Sequence, residues 1–318
     1  MPAAAAPEGL VTRVDARQCE VCFDGKTAPA QLRGRLFEAE SIDRSPVAVG
    51  DRVRLTDEDG ELAIDEVLPR RNVFARRASG EEVRRQLLAA NVDQVVLVCS
   101  FGNPPFSSVT ADRILVSASF LGVPARLILN KIDRDARGHL EDVRRTYELA
   151  GYPVLATSAE TGEGVEAFGD LLRGRTSVLY GLSGVGKSSL LNCIEDGLGI
   201  RTRQVSKSLN SGRHTTTYAR MYFLKAGGAV IDTPGVRVFR PFGIPPYELR
   251  LHFAEFVPLG KLCRFPSCQH RDEPGCAVLA ALANGALAAS RHRSYLEILE
   301  ELERVYGGSG RNEDDAVV

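Results

Sequence analysis

From about residue 91 the apolar residues come in dense short runs, each stopped by turn residues: VDQVVLVCS (92–100), ARLILNKID (125–133), YPVLATSA (152–159), TSVLYG (176–181) and GAVIDTPG (228–235). Near-continuous runs of this length predict strands buried on both faces. Between them, apolar residues at helical spacing predict helices over 111–121 and 140–150, the second stopped by Gly151. Strands alternating with helices imply a parallel sheet covered on both sides. Residues 10–68 read differently, as shorter alternating stretches (VTRVDARQCEVCF, AQLRGRLF, VAVGDRVRLT, ELAIDEVL) separated by turns at Asp24-Gly25 and Asp59-Gly60. That spacing predicts a small β-barrel. After Pro241 the strand pattern ends. An Ala/Leu-rich helix is expected near 277–289 and an amphipathic helix near 291–306, followed by a polar, acidic tail, Gly307–Val318, expected to be disordered. The boundaries that follow are a barrel in 1–70, an arginine-rich linker in 71–90, an α/β domain in 91–240 and a helical domain in 241–318.

Composition narrows the class. At 318 residues, with 44% hydrophobic and 25% charged positions, two or three globular domains are expected. Forty basic against 41 acidic residues exclude a uniformly positive coat but leave room for local basic patches. No apolar run approaches the ~18–20 residues that span a bilayer. The opening MPAAAAPEGLVTRVDAR lacks the basic and apolar regions of a secretory signal. Seven cysteines form an irregular odd set, which suits thiols and one metal site better than disulfides. A cytoplasmic location and no membrane partner are therefore expected.

The chemistry begins at Gly181-Leu182-Ser183-Gly184-Val185-Gly186-Lys187-Ser188, with Ser189 next, set between the strand SVLY and the helical run SSLLNCI. Glycines at this spacing let backbone N–H groups curl around phosphates, and the helix N-terminus adds its dipole. Lys187 is placed to reach the β- and γ-phosphates and Ser188 to ligate Mg²⁺. Asn130-Lys131-Ile132-Asp133 ends another strand and selects the base. Guanine offers two adjacent donors that the Asp133 carboxylate can accept together, and adenine does not. Thr157-Ser158-Ala159 follows the next strand and brings a backbone N–H from Ser158 or Ala159 to the base carbonyl. Asp232-Thr233-Pro234-Gly235 reads as the metal- and γ-phosphate-sensing element, with Asp232 acting through a Mg²⁺-bound water and the Gly235 N–H meeting the γ-phosphate. Between cradle and sensor lies Gly212-Arg213-His214-Thr215-Thr216-Thr217, where Thr216 is the favoured switch threonine. Val236 stands where Ras-type enzymes carry a water-orienting glutamine. Another group must orient the water, and His214 is the nearest candidate, with a solvated loop histidine as the competing reading.

Cys263, Cys268, His270 and Cys276 bring three thiols and one imidazole into a turn-rich stretch, the donor set of a closed, structural zinc site. Cys19 and Cys22 have ligand-like spacing, but on a strand they point to opposite faces. Cys99 and Cys193 lie in apolar segments and are expected to be buried. Basic residues collect in the barrel (Arg13, Arg17, Lys26, Arg33, Arg35, Arg52, Arg54), in the linker (Arg70, Arg71, Arg76, Arg77, Arg84, Arg85, with Phe74 available for stacking) and near the switch (Arg201, Arg203, Lys207, Arg213). They suit contact with a structured RNA, or an ordinary solvated surface.

In the common Ras-like order the phosphate cradle comes first and the Asn-Lys-x-Asp strand late; here the order is reversed. The succession NKID, TSA, GLSGVGKS, GRHTTT, DTPG resembles the circularly permuted GTPases, and specifically the ribosome small-subunit-dependent GTPase A (RsgA/YjeQ) family, over nearly the whole chain. The resemblance implies an OB-fold barrel, a permuted P-loop GTPase domain and a helical zinc-binding domain. It implies hydrolysis of GTP to GDP and phosphate, stimulated by the small ribosomal subunit during its late maturation, with Mg²⁺ and one structural zinc. It also implies contact with ribosomal RNA and a catalytic role for His214; a monomer is expected. Two alternatives remain open at this point: a GTPase serving a non-ribosomal complex, and an RNA-binding switch that does not hydrolyse.

Overall fold

The computed structural model describes residues 7–15, 18–37, 41–58, 60–80, 83–195, 219–233 and 238–306. The expected disordered tail, Gly307–Val318, lies outside them.

Five strands close the N-terminal barrel: β1 (Glu8–Val14), β2 (Gln18–Phe23), β3 (Lys26–Leu32), β4 (Arg52–Glu58) and β5 (Glu61–Val67). They pair in the cyclic order β1-β2-β3-β5-β4 and back to β1. Inward positions alternate as the sequence pattern predicts, and Val11, Val21, Val53, Leu55 and Ile64 fill the interior. Cys19 points into that core and Cys22 lies toward the surface, so the two thiols form no ligand pair.

The stretch read as a linker contains a β-hairpin, β6 (Val73–Arg77) paired with β7 (Arg85–Ala90). Phe74 is fully buried, stacked on Phe239 at 5.7 Å between ring centres and edge-on to Tyr180 at 6.1 Å. The expectation that Phe74 is free to stack on a nucleobase is therefore corrected. The hairpin needs an apolar anchor, and a ring buried on both faces has none to offer a ligand.

The α/β domain holds five parallel strands in the order β10 (Val154–Ala156), β9 (Ala125–Asn130), β8 (Gln94–Ser100), β11 (Thr176–Tyr180) and β13 (Ala229–Asp232). Alternate residues serve two cores. Val95, Leu97, Leu127, Leu129 and Val178 face α1 (Ser108–Phe120) and α2 (Leu140–Leu149). Val96, Val98, Ile128, Leu179 and Val230 face α3 (Val165–Leu172) and α4 (Lys187–Ile194). Ser107 caps α1 by accepting from the Thr110 N–H. Cys193 is exposed rather than buried, because the buried stripe of α4 runs through Leu190, Leu191 and Ile194; Cys99 is partly buried at the core's edge. One strand carries no clear pattern in the sequence. β12 (Arg220–Phe223) runs antiparallel to β13 and touches β1 at Arg13↔Arg220, joining barrel and α/β domain into one eleven-stranded sheet.

No strand follows β13 among the described residues. α5 (Phe256–Gly260), α6 (Ala277–Ala283) and α7 (Ala289–Tyr306) surround a core of Phe253, Phe256, Tyr295, Ile298 and Leu302, with Val116 of α1 packed into it. The helix expected to run to 289 stops at Ala283, since Asn284 and the left-handed Gly285 (φ 78°) break it.

Arg291 of α7, fully buried, bonds Asp112 of α1 and also Glu255, 2.6 Å from its Nε. Tyr147 donates its hydroxyl to the same Asp112 at 2.9 Å. Removing one partner leaves a buried charge uncompensated. Arg291→Met should therefore destabilise the protein by about 3–5 kcal/mol in urea unfolding, and adding Asp112→Leu should restore part of that loss, Glu255 still lacking its partner. A cost for the single variant no larger than that of an exposed ion pair would refute this assignment.

Candidate functional site

The parallel strands end at one edge of the sheet, and every motif picked out as nucleotide-binding within the described residues lies there, on loops leaving β9, β10, β11 and β13. Ligands of open α/β sheets bind at this carboxyl edge.

The loop expected to cradle phosphates spans Gly181–Gly186. A Cβ at Gly181 would lie 2.3 Å from the Val98 carbonyl oxygen of β8. Gly186 has φ 100°, and a Cβ there would lie 2.2 Å from the Asn130 amide nitrogen. Both positions are closed to any larger residue. α4 begins at Lys187 without a side-chain cap, so its first N–H groups point out of the helix end unclaimed by a cap. Ser188 and Ser189 lie in that first turn.

Asn130 is buried and ties two loops together. Its Nδ2 donates to Val185 O at 2.8 Å, and its Oδ1 accepts from the Thr157 hydroxyl at 3.1 Å. Lys131, in the left-handed region at φ 60°, donates from Nζ to Asn103 O at 2.7 Å and also to Gly184 O. Ile132 and Asp133 follow in a single 3-10 turn, and the Asp133 carboxylate accepts from the Ser158 hydroxyl. The Ser158 N–H donates to Glu163 O at 2.9 Å, which leaves Ala159 as the amide of that loop able to face a base. Sequence reasoning missed the loop 101–107. Pro104 approaches Gly184, and Asn103 receives Lys131, so this loop walls the site. Its signal was present as a Gly/Pro cluster, FGNPPF, directly after a parallel strand.

Lys187 is buried, and its Nζ donates to Gly181 O at 2.8 Å. Burial lowers its pKa, while Asp232 opposes that shift. Burial pushes the Asp232 carboxyl up to about 6, with Lys187 pulling it the other way. Asp232 Oδ1 is buried without a hydrogen-bond partner, and such an atom fits a hydrated cation. Thr233 bonds back to Leu179 O at 3.0 Å and fixes the start of the sensor. Thr216, His214, Gly235 and Val236 lie outside the described residues, as do the basic residues Arg17, Arg201, Arg203, Lys207 and Arg213.

In the C-terminal domain Cys263, Cys268, His270 and Cys276 converge, their ligand atoms all within 4.8 Å of one another. Cys263 Sγ lies 3.7 Å from His270 Nδ1 and 4.0 Å from Cys276 Sγ, and His270 Nδ1 lies 3.4 Å from Cys276 Sγ. Bonds of about 2.0–2.3 Å to a tetrahedral zinc give edges of roughly 3.5–3.8 Å, so the four donors are compatible with zinc. Backbone N–H groups of Ala277 and Leu279 point at the Cys263 and Cys276 sulfurs, and His292 donates to His270 O at 2.8 Å.

A family model described as RsgA GTPase matches residues 67–241. The chain is 40% identical over 304 residues to the small ribosomal subunit biogenesis GTPase RsgA of Porphyromonas gingivalis, covering 92% of this chain and 96% of that protein. The chain belongs to the RsgA GTPase family. The RsgA of Chlorobaculum parvum is 42% identical over 313 residues, covering 93% of this chain and 98% of the other. Among solved structures, YjeQ from Thermotoga maritima superposes with TM-score 0.70 at 36% identity, covering 93% of this chain and 98% of that one. YloQ, described as a circularly permuted GTPase, gives 0.66 at 27%, covering 94% and 96%. As an RsgA-family protein the chain is a GTP hydrolase, and the family implies use of GTP with Mg²⁺. The permuted motif order is thus a property of the fold and not a coincidence of spacing.

In the nucleotide-free protein the Asp232 carboxyl should titrate near pH 6 by NMR. Its folded-state pKa lies above the ordinary value, so its contribution to stability is full at low pH and declines as pH rises from about 4 to about 6. Lys187→Met removes the cation that lowers this pKa, so the midpoint should move further up. A midpoint that does not move would show that Lys187 and Asp232 do not interact.

Proposed function

We propose that the chain hydrolyses GTP on the small ribosomal subunit during its late maturation, binding in the GTP form and leaving after hydrolysis. The observation that carries this reading is the gathering of Asn130–Asp133, Ser158–Ala159, Gly181–Ser189 and Asp232 at one sheet edge, in a chain whose relatives are named for small-subunit biogenesis.

In this reading Asp133, held by Ser158, accepts the guanine donors, and Ala159 meets the base carbonyl. Asn130 and Lys131 brace the base loop against the phosphate loop. The loop amides of Gly181–Gly186 cradle the phosphates, and Lys187 leaves its carbonyl partner to face the β- and γ-oxygens. Ser188, Asp232 and Thr216 would hold Mg²⁺, which neutralises charge on the transferring phosphoryl group. Gly235 meets the γ-phosphate and His214 orients the attacking water. With Val236 unable to bond water, basal turnover is slow and a docked partner orders the histidine loop.

The barrel is the RNA-facing part. Its arginines sit in exposed or half-exposed ion pairs, Arg52 with Glu8 and Arg54 with Glu66, while Arg33 and Arg35 share Asp65. Such pairs contribute little and exchange readily for phosphate. Three of the linker arginines are engaged otherwise: Arg70 bonds Asp51, Arg71 bonds Asp93 and Arg85 bonds Asp43. The division of labour is a barrel in 1–70, a connecting segment in 71–90, the GTPase in 91–240 and a zinc-held domain from 241. No helix among the described residues is long and apolar enough to cross a membrane; a cytoplasmic monomer fits this role.

Purified small subunits should raise the GTPase rate by orders of magnitude if the effect is like that of other partner-activated GTPases. His214→Ala should lose most of that stimulation while keeping nucleotide affinity, since it acts on water. An unstimulated wild-type enzyme would refute the ribosomal reading; a fully stimulated variant would refute the role of His214.

Elemental analysis should find about one zinc per chain. Cys268→Ser should lower zinc content and loosen the C-terminal domain while nucleotide binding persists. A native protein free of zinc would overturn the structural role.

A further inference from the structure

The hairpin β6–β7 is flanked on both sides by single extended segments. On one side Arg85 N donates to Ile42 O and Arg44 N donates to Arg85 O, both at 2.9 Å, so that Asp43 pairs with Arg85 in parallel. On the other side Arg77 N donates to Arg240 O at 2.9 Å, just beyond the sensor segment. Side chains directly across a sheet share a face. Register therefore sorts this small sheet into two unlike rows.

One row runs Asp43, Arg85, Arg77. It is neutralised, because Arg85 bonds Asp43 and Arg77 reaches Glu301 at 3.6 Å. The opposite row runs Arg44, Gln86, Arg76. It holds two guanidinium groups and no acid. Arg76 is 7% exposed; its Nη1 donates to Val238 O at 3.3 Å, and its Nε is buried without a partner. Arg240 adds a third positive charge. Burial lowers the pKa of Arg76; Tyr180 opposes that shift, and repulsion from Arg240 and Arg44 adds to it. No ion pair with an acid involves any of the three among the described residues, whereas Arg70, Arg71, Arg77 and Arg85 around them all have one. The exposure is graded: Arg76 forms the floor, Arg240 is half-buried and Arg44 is exposed at the rim.

A buried guanidinium with an unmet donor, facing like charges, is costly unless an anion completes it. Planar forks from several arginines match the oxygens of a phosphate. We propose that Arg44, Arg76 and Arg240 form an anion pocket that takes one phosphate group. The pocket lies outside the GTP site, on the segment that leaves the γ-phosphate sensor. The group is either a backbone phosphodiester of RNA or a free phosphate anion, and only the first source rests on the ribosomal reading above. Because Arg76 also holds the Val238 carbonyl, a phosphate here would bear directly on the exit of the sensor.

The test uses the full chain with GDP filling the phosphate loop, and the rim double variant Arg44→Gln/Arg240→Gln, which spares the buried floor. In the first arm, inorganic phosphate at matched ionic strength should raise the melting temperature of the wild type and not that of the variant. In the second, binding to small-subunit ribosomal RNA is measured against salt. The variant should reduce the log–log slope by about 0.7–0.9, the amount expected for one lost phosphate contact, and weaken binding alike for different RNA sequences. A response in the RNA arm alone assigns the pocket to a phosphodiester; a response in the phosphate arm alone assigns it to a free anion. Identical behaviour of wild type and variant in both arms overturns the proposal. Failure of small subunits to stimulate hydrolysis would remove the ribosomal reading, and the phosphate arm would still decide the pocket.

Discussion

One buried amide holds the candidate nucleotide site together. Asn130 is sealed from water, so both ends of its side chain must find partners inside the protein. It finds them in two different loops, Val185 O of the phosphate loop and the Thr157 hydroxyl of the base loop. Gly186 is compelled by the same contact, since a Cβ there would lie on the Asn130 amide nitrogen. Circular permutation cuts the chain between elements but leaves these contacts intact. A tie made across space does not depend on which loop comes first in sequence.

Permutation changes what lies on either side of the sensor. β13 delivers Asp232, and the chain then re-enters the described structure at Val238 and Phe239. Phe239 packs on Tyr180, the residue before the phosphate loop, and on Phe74 of the hairpin. β12, ahead of the sensor strand, touches β1 of the barrel. The sensor strand is thus bracketed by contacts to the barrel on one side and the hairpin on the other. α1 adds a third link, for its first residues follow the loop that walls the nucleotide site and its Asp112 binds Arg291 of the C-terminal domain. A rigid element packed against two domains is the physical means by which nucleotide state can reach both.

Electrostatics in the nucleotide-free site run against the usual ionised forms. Burial raises Asp232 and lowers Lys187, each only partly relieved by the other. Phosphates and a cation would reverse both penalties together, so the site is arranged for charged ligands and not for the empty protein. The Cys/His cluster of the C-terminal domain behaves differently. Its four donors are brought together by chain turns and a left-handed His270, and a set of three thiols and one imidazole is that of a closed tetrahedral site.

The sequence by itself determined whatever depends on residues close together in the chain. The glycine loop Gly181–Gly186 with its strand and helix, the Asn130–Asp133 turn at a strand end, the Cys263–Cys276 donor set, the barrel strands and the five parallel strands were all legible, because spacing and apolar period report local geometry. Tertiary structure alone decided the fate of the arginines and of Phe74. A run such as PRRNVFARR looks solvated in one dimension, but Arg70, Arg71 and Arg77 close on acids brought from elsewhere in the fold, and Phe74 closes on Tyr180 and Phe239. β12 was hidden for the same reason. RMYF has too few residues to show a period, and its strand form comes from pairing with β13 and β1. Which partner neutralises a charge, and which charge is left without one, is set by register across the sheet, and register is not written in the spacing of any one strand.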